Sequence, residues 1–223
     1  MRFTFLFFQV MACLFYTNRI SGQGPAFREG YVITMYGDTI RGLIMNNAPE
    51  DITYRDSRKH DHVFYPQDLN GYMRCNMEYV STMVPGDTAR LFIAHLLKGP
   101  LDLYATIIPK NVSDFIGPGV AGGFLGGVIG SVVMAAVASN QIISVDSVCK
   151  NDMFAIKNYY VRKGKNGSLK KVPNGRKKFK SMMIPLMWDH KEVVKDIPEG
   201  LFFSGNTISI VRKYNAGTEK ITK

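Results

Sequence analysis

The chain has 223 residues, 46% hydrophobic and 21% charged, enough for one mid-sized domain and too apolar for wholesale disorder or a coiled coil. Lys and Arg number 28 against 18 Asp and Glu, a net charge of +10. The excess is local, because residues 157–180 hold ten basic residues and no acid, leaving 18 of each sign elsewhere.

Met1-Arg2 opens onto an apolar run, residues 3–16, followed by a small-residue exit at Ser21, Gly22 and Gly24. A basic start, a short greasy core and small residues are the parts of a secretory signal peptide, and the run is too short to span a bilayer. We therefore expect export, with residues 1–23 removed. Val10-Met11-Ala12-Cys13 is a poor lipoprotein box, since Met11 fits badly and apolar residues continue past Cys13. Cys75 and Cys149 remain in the mature chain. In an oxidising compartment they can pair, and as two buried thiols they would act as small hydrophobes.

Residues 24–110 read as the first, β-rich part of a body. Segments 31–36 and 40–45 are strands about a turn at Gly37-Asp38-Thr39, and 52–55 and 62–65 are further strands. Pro66 and Leu69-Asn70-Gly71 read as a break, 78–84 as a restart, 91–97 as strand or short helix, and 101–109 as a strand. In the last part, 142–223, residues 153–161 are a strand and 163–167 turn into 168–172. Residues 179–188, 192–197 and 207–214 carry mixed three- and four-residue apolar spacings, predicting short helices limited by Pro185 and Pro198. The expected class is α+β: a mainly antiparallel β-rich body with short C-terminal helices and a Gly-rich hydrophobic helical segment or hairpin.

Certain stretches carry a resemblance: Glu29-Gly30-Tyr31-Val32 through Gly37-Asp38-Thr39-Ile40-Arg41-Gly42, then Tyr65-Pro66-Gln67-Asp68-Leu69-Asn70-Gly71-Tyr72, then Gly99-Pro100-Leu101-Asp102-Leu103-Tyr104. With Tyr159-Tyr160-Val161 and Ile210-Val211-Arg212-Lys213-Tyr214-Asn215, the chain resembles a group of uncharacterised exported proteins of Bacteroidota. The resemblance implies export and architecture, not an activity. It departs from that pattern in the roughly 40 residues between the Leu-Tyr and Tyr-Tyr strands.

Most of that departure is the segment 111–141. Residues 115–139 beyond Asp114 are uncharged and contain two four-residue glycine ladders: Gly119, Gly123, Gly127 and Gly122, Gly126, Gly130. On a helix these form bare grooves for close helix approach, as in the glycine-zipper segments of bacterial envelope proteins, which they resemble. In water each such glycine costs about 0.8–1 kcal/mol relative to alanine, so lipid is the favoured setting, against a buried or oligomer-forming helix pair. One crossing needs about 20 apolar residues, but would separate strands 101–109 and 153–161 if they share a sheet. A hairpin reaching part-way into the bilayer avoids that separation. A stop-transfer helix with the basic stretch held in the cytoplasm is the competing topology.

Catalytic and cofactor signatures are scarce. Gly117-Pro118-Gly119-Val120-Ala121-Gly122 fits G-x-G-x-x-G formally, but no βαβ unit surrounds it. His60-Asp61-His62 offers two imidazoles on one strand face, fewer ligands than zinc needs. His95 and His190 read as structural. The basic residues Arg162, Lys163, Lys165, Lys170, Lys171, Arg176, Lys177 and Lys178 are expected to meet an anionic surface rather than nucleic acid, because export removes the latter. A solvated hairpin is the plain alternative. The resulting expectation is a non-enzymatic cell-envelope protein without a cofactor, periplasmic or membrane-associated. Its partners would be membrane lipid, an envelope component or a second copy of itself. A soluble periplasmic binding module with the Gly-rich segment packed internally is the alternative.

Overall fold

The computed structural model describes residues 26–47, 49–110, 142–144, 153–195 and 197–221. Residues 1–23, expected to be a signal peptide and including Cys13, the glycine ladders from Gly119 to Gly130, and Cys149 lie outside them. Alternating apolar and polar side chains, interrupted by turns, produce strands β1 (Arg28–Thr34), β2 (Thr39–Asn46), β3 (Ile52–Arg55) and β4 (Asp61–Phe64). They are followed by β5 (Leu69–Arg74), β6 (Met77–Met83), β7 (Arg90–Leu97) and β8 (Leu101–Lys110). Strands β9 (Ile142–Ser144), β10 (Met153–Lys163) and β11 (Lys170–Lys171) complete the set. The helices are α1 (Arg176–Leu186), α2 (Lys191–Lys195) and α3 (Thr207–Ile221). The architecture is the expected β-rich α+β class.

Ten strands form one antiparallel path in the order β11-β10-β8-β7-β6-β5-β1-β2-β3-β4, with β9 pairing β10 off that path. Two meanders thus run outwards from the central pair β1 and β5. Three strands lie between β4 and β5, so a flat sheet would separate them by four spacings of about 4.8 Å, near 19 Å. They are also offset along the strands, yet only residues 65–68 connect them, and an extended chain gains at most about 3.5 Å per residue. The sheet must therefore coil, carrying β2–β4 over towards β6 and β7. A hydrogen bond from the Phe92 amide to the Pro49 carbonyl, 2.9 Å, and one from the Ser81 hydroxyl to the Pro66 carbonyl close that curl.

The core lies inside the curl and under the helices. Val32, Ile44, Ile52, Tyr72, Tyr79, Phe92, Leu101, Leu103 and Val161 point inwards, against Phe179, Met183, Met187, Ile210, Val211 and Tyr214. Each fully buried side chain of this size contributes about 1.5–3 kcal/mol. Asn215 of α3 fastens the helical layer to β8. Its side chain accepts from the Leu101 amide at 3.1 Å and donates to the Leu101 carbonyl at 3.0 Å, as a neighbouring strand would. Gly99 permits this approach, since a β-carbon there would sit 2.5 Å from the Asn215 side chain.

The turn at Gly37 forms as expected, with φ +91° at that glycine. Residues 69–71, read as a break, instead open β5. A β-carbon on Gly71 would lie 2.3 Å from the Tyr79 carbonyl oxygen, so this glycine serves close strand approach rather than a turn. Segment 91–97 is a strand, segment 168–172 shortens to β11, and the last helix continues to Ile221.

Candidate functional site

The outer face of the sheet carries a second, smaller apolar cluster, Val84, Ile93, Tyr104 and Tyr160, and beside it an ionic one. In Leu101-Asp102-Leu103-Tyr104 the leucines turn inwards, which forces Asp102 and Tyr104 outwards. Cross-strand pairing then sets His95 opposite Tyr104 and Arg162 opposite Asp102. The His95 ring stacks on Tyr104 with centroids 4.3 Å apart. Its Nε2 faces Asp102 Oδ1 at 3.2 Å and its Nδ1 faces Glu78 Oε2 at 3.6 Å. Lys98 closes on Glu78 at 2.6 Å.

Asp102 is the hub, with a side chain 13% exposed. Oδ1 also accepts from the Gly99 amide at 3.2 Å, while Oδ2 accepts from Arg162 at 3.0 Å and from the Tyr104 hydroxyl at 3.3 Å. Burial alone would raise its pKa, but hydrogen bonds from Arg162 and Gly99 and the His95 charge outweigh that and hold it below the ordinary carboxylate range. Tyr104 is pushed up to about 12, by burial first and the Asp102 charge second. Four protein groups thus surround this carboxylate. The arrangement is that of an ionic clamp across four strands.

A second clamp ties the helical layer to the end of β10. Lys163 meets Asp189 Oδ1 at 2.8 Å, and the Tyr214 hydroxyl donates to Asp189 at 3.0 Å. Burial would raise the Asp189 pKa, but bonding to Lys163 and Tyr214 lowers it on balance. His190 lies edge-on to Tyr214, centroids 5.5 Å apart, consistent with a structural role.

His60 and His62 do converge, on Asp56 at 3.5 and 3.8 Å, but both imidazoles are more than half exposed. Asp56 itself serves the turn, accepting the backbone amides of Arg58 and His60. Among the described residues no group of three or more His, Cys, Asp or Glu is arranged to hold a metal ion.

The basic residues do not form one free patch. Arg162 and Lys163 are neutralised by Asp102 and Asp189. Lys165, Lys170, Lys171, Lys177 and Lys178 are exposed, and none meets a carboxylate among the described residues. Exposed Arg176 reaches the Gly200 carbonyl, at 3.4 Å.

Strands β8 and β10 pair from Leu101 opposite Lys163 to Lys110 opposite Met153. Strand β7 accompanies β8 only as far as Ala105, so beyond it β8 and β10 continue as a ribbon, flanked by β9. The chain thus leaves the ribbon after Lys110 and rejoins it at Ile142, opposite Ala155 and close to the same end, which is incompatible with a single crossing that puts β8 and β10 on opposite sides of a membrane. At about 3.3 Å per residue, the eleven residues of β10 place the basic turn about 33 Å from that end. The basic turn that begins at Arg162 and Lys163 thus lies at the far end of the strand. No helix among the described residues is long and apolar enough to cross a membrane.

Cys75 is held in a disulfide. It forms with Asn76 the left-handed turn between β5 and β6, at φ +52° and +58°. Both residues, together with Tyr31, Arg41, Lys59 and Met73, line a groove of about 670 Å³ across the outer face of β1 to β3. Compared with family models, curated proteins and solved structures, the chain matches none.

Sequence reasoning missed the ionic hubs Asp102 and Asp189, their partners Tyr104 and Tyr214, and Glu78, which faces His95 and Lys98. For Asp102 a signal was present: one acid inside an alternating leucine strand must face away from the core and seek a cation.

Proposed function

We propose that this is a non-enzymatic, exported cell-envelope protein whose sheet presents the glycine-rich apolar segment to a membrane. The observation that carries the reading is the β8–β10 pairing, which brings both ends of the excursion to one place on a rigid ribbon. An uncharged 25-residue stretch held that way, residues 115–139, has its ends fixed as a hairpin entering lipid from one side requires. The resemblance to exported Bacteroidota proteins supports the compartment. The disulfide at Cys75 accords with an oxidising one.

The test is fractionation of the full chain and of a variant in which residues 115–139 are replaced by a short Gly-Ser link. The intact protein should pellet with membranes and the variant should not. Intact protein in the soluble fraction, or a variant that still pellets, refutes the reading. The groove bounded by Lys59, Cys75 and Asn76 favours a second reading, a soluble binding module. These are the only non-glycine residues with positive φ among those described, and such strain gathers where a ligand is held. That reading predicts a monomer stable without detergent.

A further inference from the structure

We propose that one rim of the sheet, formed by Met35, Tyr36, Ile40, Tyr65 and Met83, is a lipid-interface contact that seats the protein on the bilayer. This deepens the membrane reading above and rests on it. Ten large apolar side chains are exposed among the described residues, and five of them are these, at 47%, 95%, 44%, 48% and 50%. They come from neighbouring strands. Met35 and Tyr36 form the tip between β1 and β2, Ile40 sits just after that tip, Tyr65 opens the turn into β5, and Met83 ends β6.

The turns are stitched together. The Asn70 side chain donates to the carbonyls of Thr34 and Met35, at 2.9 and 3.4 Å, and Ser81 donates to the carbonyl of Pro66 beside Tyr65. The turns that carry these apolar side chains are thus held together at one end of the sheet. Its chemistry suits an interface: tyrosine offers an apolar ring with a wet hydroxyl, and methionine adapts to irregular surroundings.

The occupant is indicated by where the chain goes. The β6–β7 turn beside Met83 and the outer ends of β8 and β10, Lys110 and Met153, lie at the same register end of their strands. The uncharged segment 115–139 therefore departs from the side of the sheet to which this rim belongs. The exposed lysines Lys165, Lys170 and Lys171 lie towards the other end of β10, so a protein seated by that end would turn the apolar rim away from lipid.

The chain has a single tryptophan, Trp188, 54% exposed and adjacent to the Lys163–Asp189 clamp at the cationic end. The mature protein, lacking residues 1–23, is mixed with phosphatidylcholine–phosphatidylglycerol vesicles carrying brominated acyl chains, both as the native sequence and as a rim reporter, Tyr36→Trp combined with Trp188→Phe. Co-sedimentation is measured in parallel. We expect the emission of the rim reporter to shift to the blue and be quenched, with that of Trp188 in the native sequence unaffected. Replacing Met35 and Tyr36 together by Ser should weaken vesicle binding about tenfold, equivalent to about 1.4 kcal/mol. Co-sedimentation with the rim reporter unquenched overturns the rim contact and leaves the membrane reading standing. Quenching of Trp188 instead shows docking by the cationic end and also overturns it. Failure to co-sediment overturns both.

Discussion

Replacing Asp102 by Asn keeps the shape of the hub and removes its charge. The carboxylate holds Arg162, Gly99 and Tyr104 by hydrogen bonds and faces His95, while its side chain is 13% exposed and that of Arg162 33%. A hydrogen bond to a charged group is worth about 1.5–3 kcal/mol, but the several here are not additive and Arg162 is partly hydrated. A cost of about 2–4 kcal/mol follows, since an amide leaves a half-buried guanidinium without its countercharge. For a chain of this size that lowers the Tm by roughly 5–15 °C. Urea unfolding followed by circular dichroism should show a lower midpoint with an unchanged slope. Adding Arg162→Met to Asp102→Asn should cost less than the two single changes summed, by about 1–2 kcal/mol, because the double variant leaves no orphaned charge. A single-variant cost under about 0.5 kcal/mol, with additive double-variant behaviour, would refute the ionic clamp.

Asp56, Asp61, Asp102, Asp189 and Glu199 all have folded pKa values below their ordinary ones. The unfolded chain therefore takes up protons first on acidification. The stabilisation is complete above the unfolded values, about 4, and lost as pH falls further towards the lower folded values. Tyr104 works at the other end, since a folded value of about 12 makes its contribution complete below pH about 10 and lost between about 10 and 12. The urea midpoint should thus be flat near neutrality, with an acid limb that is shallower in Asp102→Asn; an identical acid limb in that variant contradicts the assignment. Helix α1 starts on Gly175 without a side-chain cap and has no acid in its first turn, while Arg176, Lys177 and Lys178 oppose the helix dipole there. Lys177→Glu and Lys178→Glu should each raise stability by about 0.3–1 kcal/mol at low ionic strength, and less in high salt. A fall in midpoint for either would mean that these lysines have a partner in the folded protein.

Much of the fold was legible because it is written locally. Strands β1, β2, β8 and β10 follow from β-prone apolar and aromatic runs bounded by turn residues, and the Gly37 turn follows from a residue tolerant of positive φ. Strand β5 was illegible for a local reason too. Asn70 and Gly71 have turn chemistry, and only the approach of the Tyr79 carbonyl shows why a strand needs a glycine there. The ionic hub gathers Glu78, His95, Asp102 and Arg162 from four strands. Alternation states that each points outwards, but not which residue stands opposite.

By itself, then, the sequence determined most of the extended segments other than β5, the Gly37 turn and the short C-terminal helices, and that the net charge resides in one stretch with an uncharged glycine ladder before it. Only the tertiary structure decided that β8 and β10 are neighbours, that the sheet coils until Pro49 meets Phe92, and that β10 holds the basic turn about 33 Å from the ribbon end. The physical reason is that periodicity and turn chemistry act over a few residues. Strand neighbours are selected by edge availability and facing side chains across long separations, and those pairings decide whether charges near in sequence are free, paired or far apart in space.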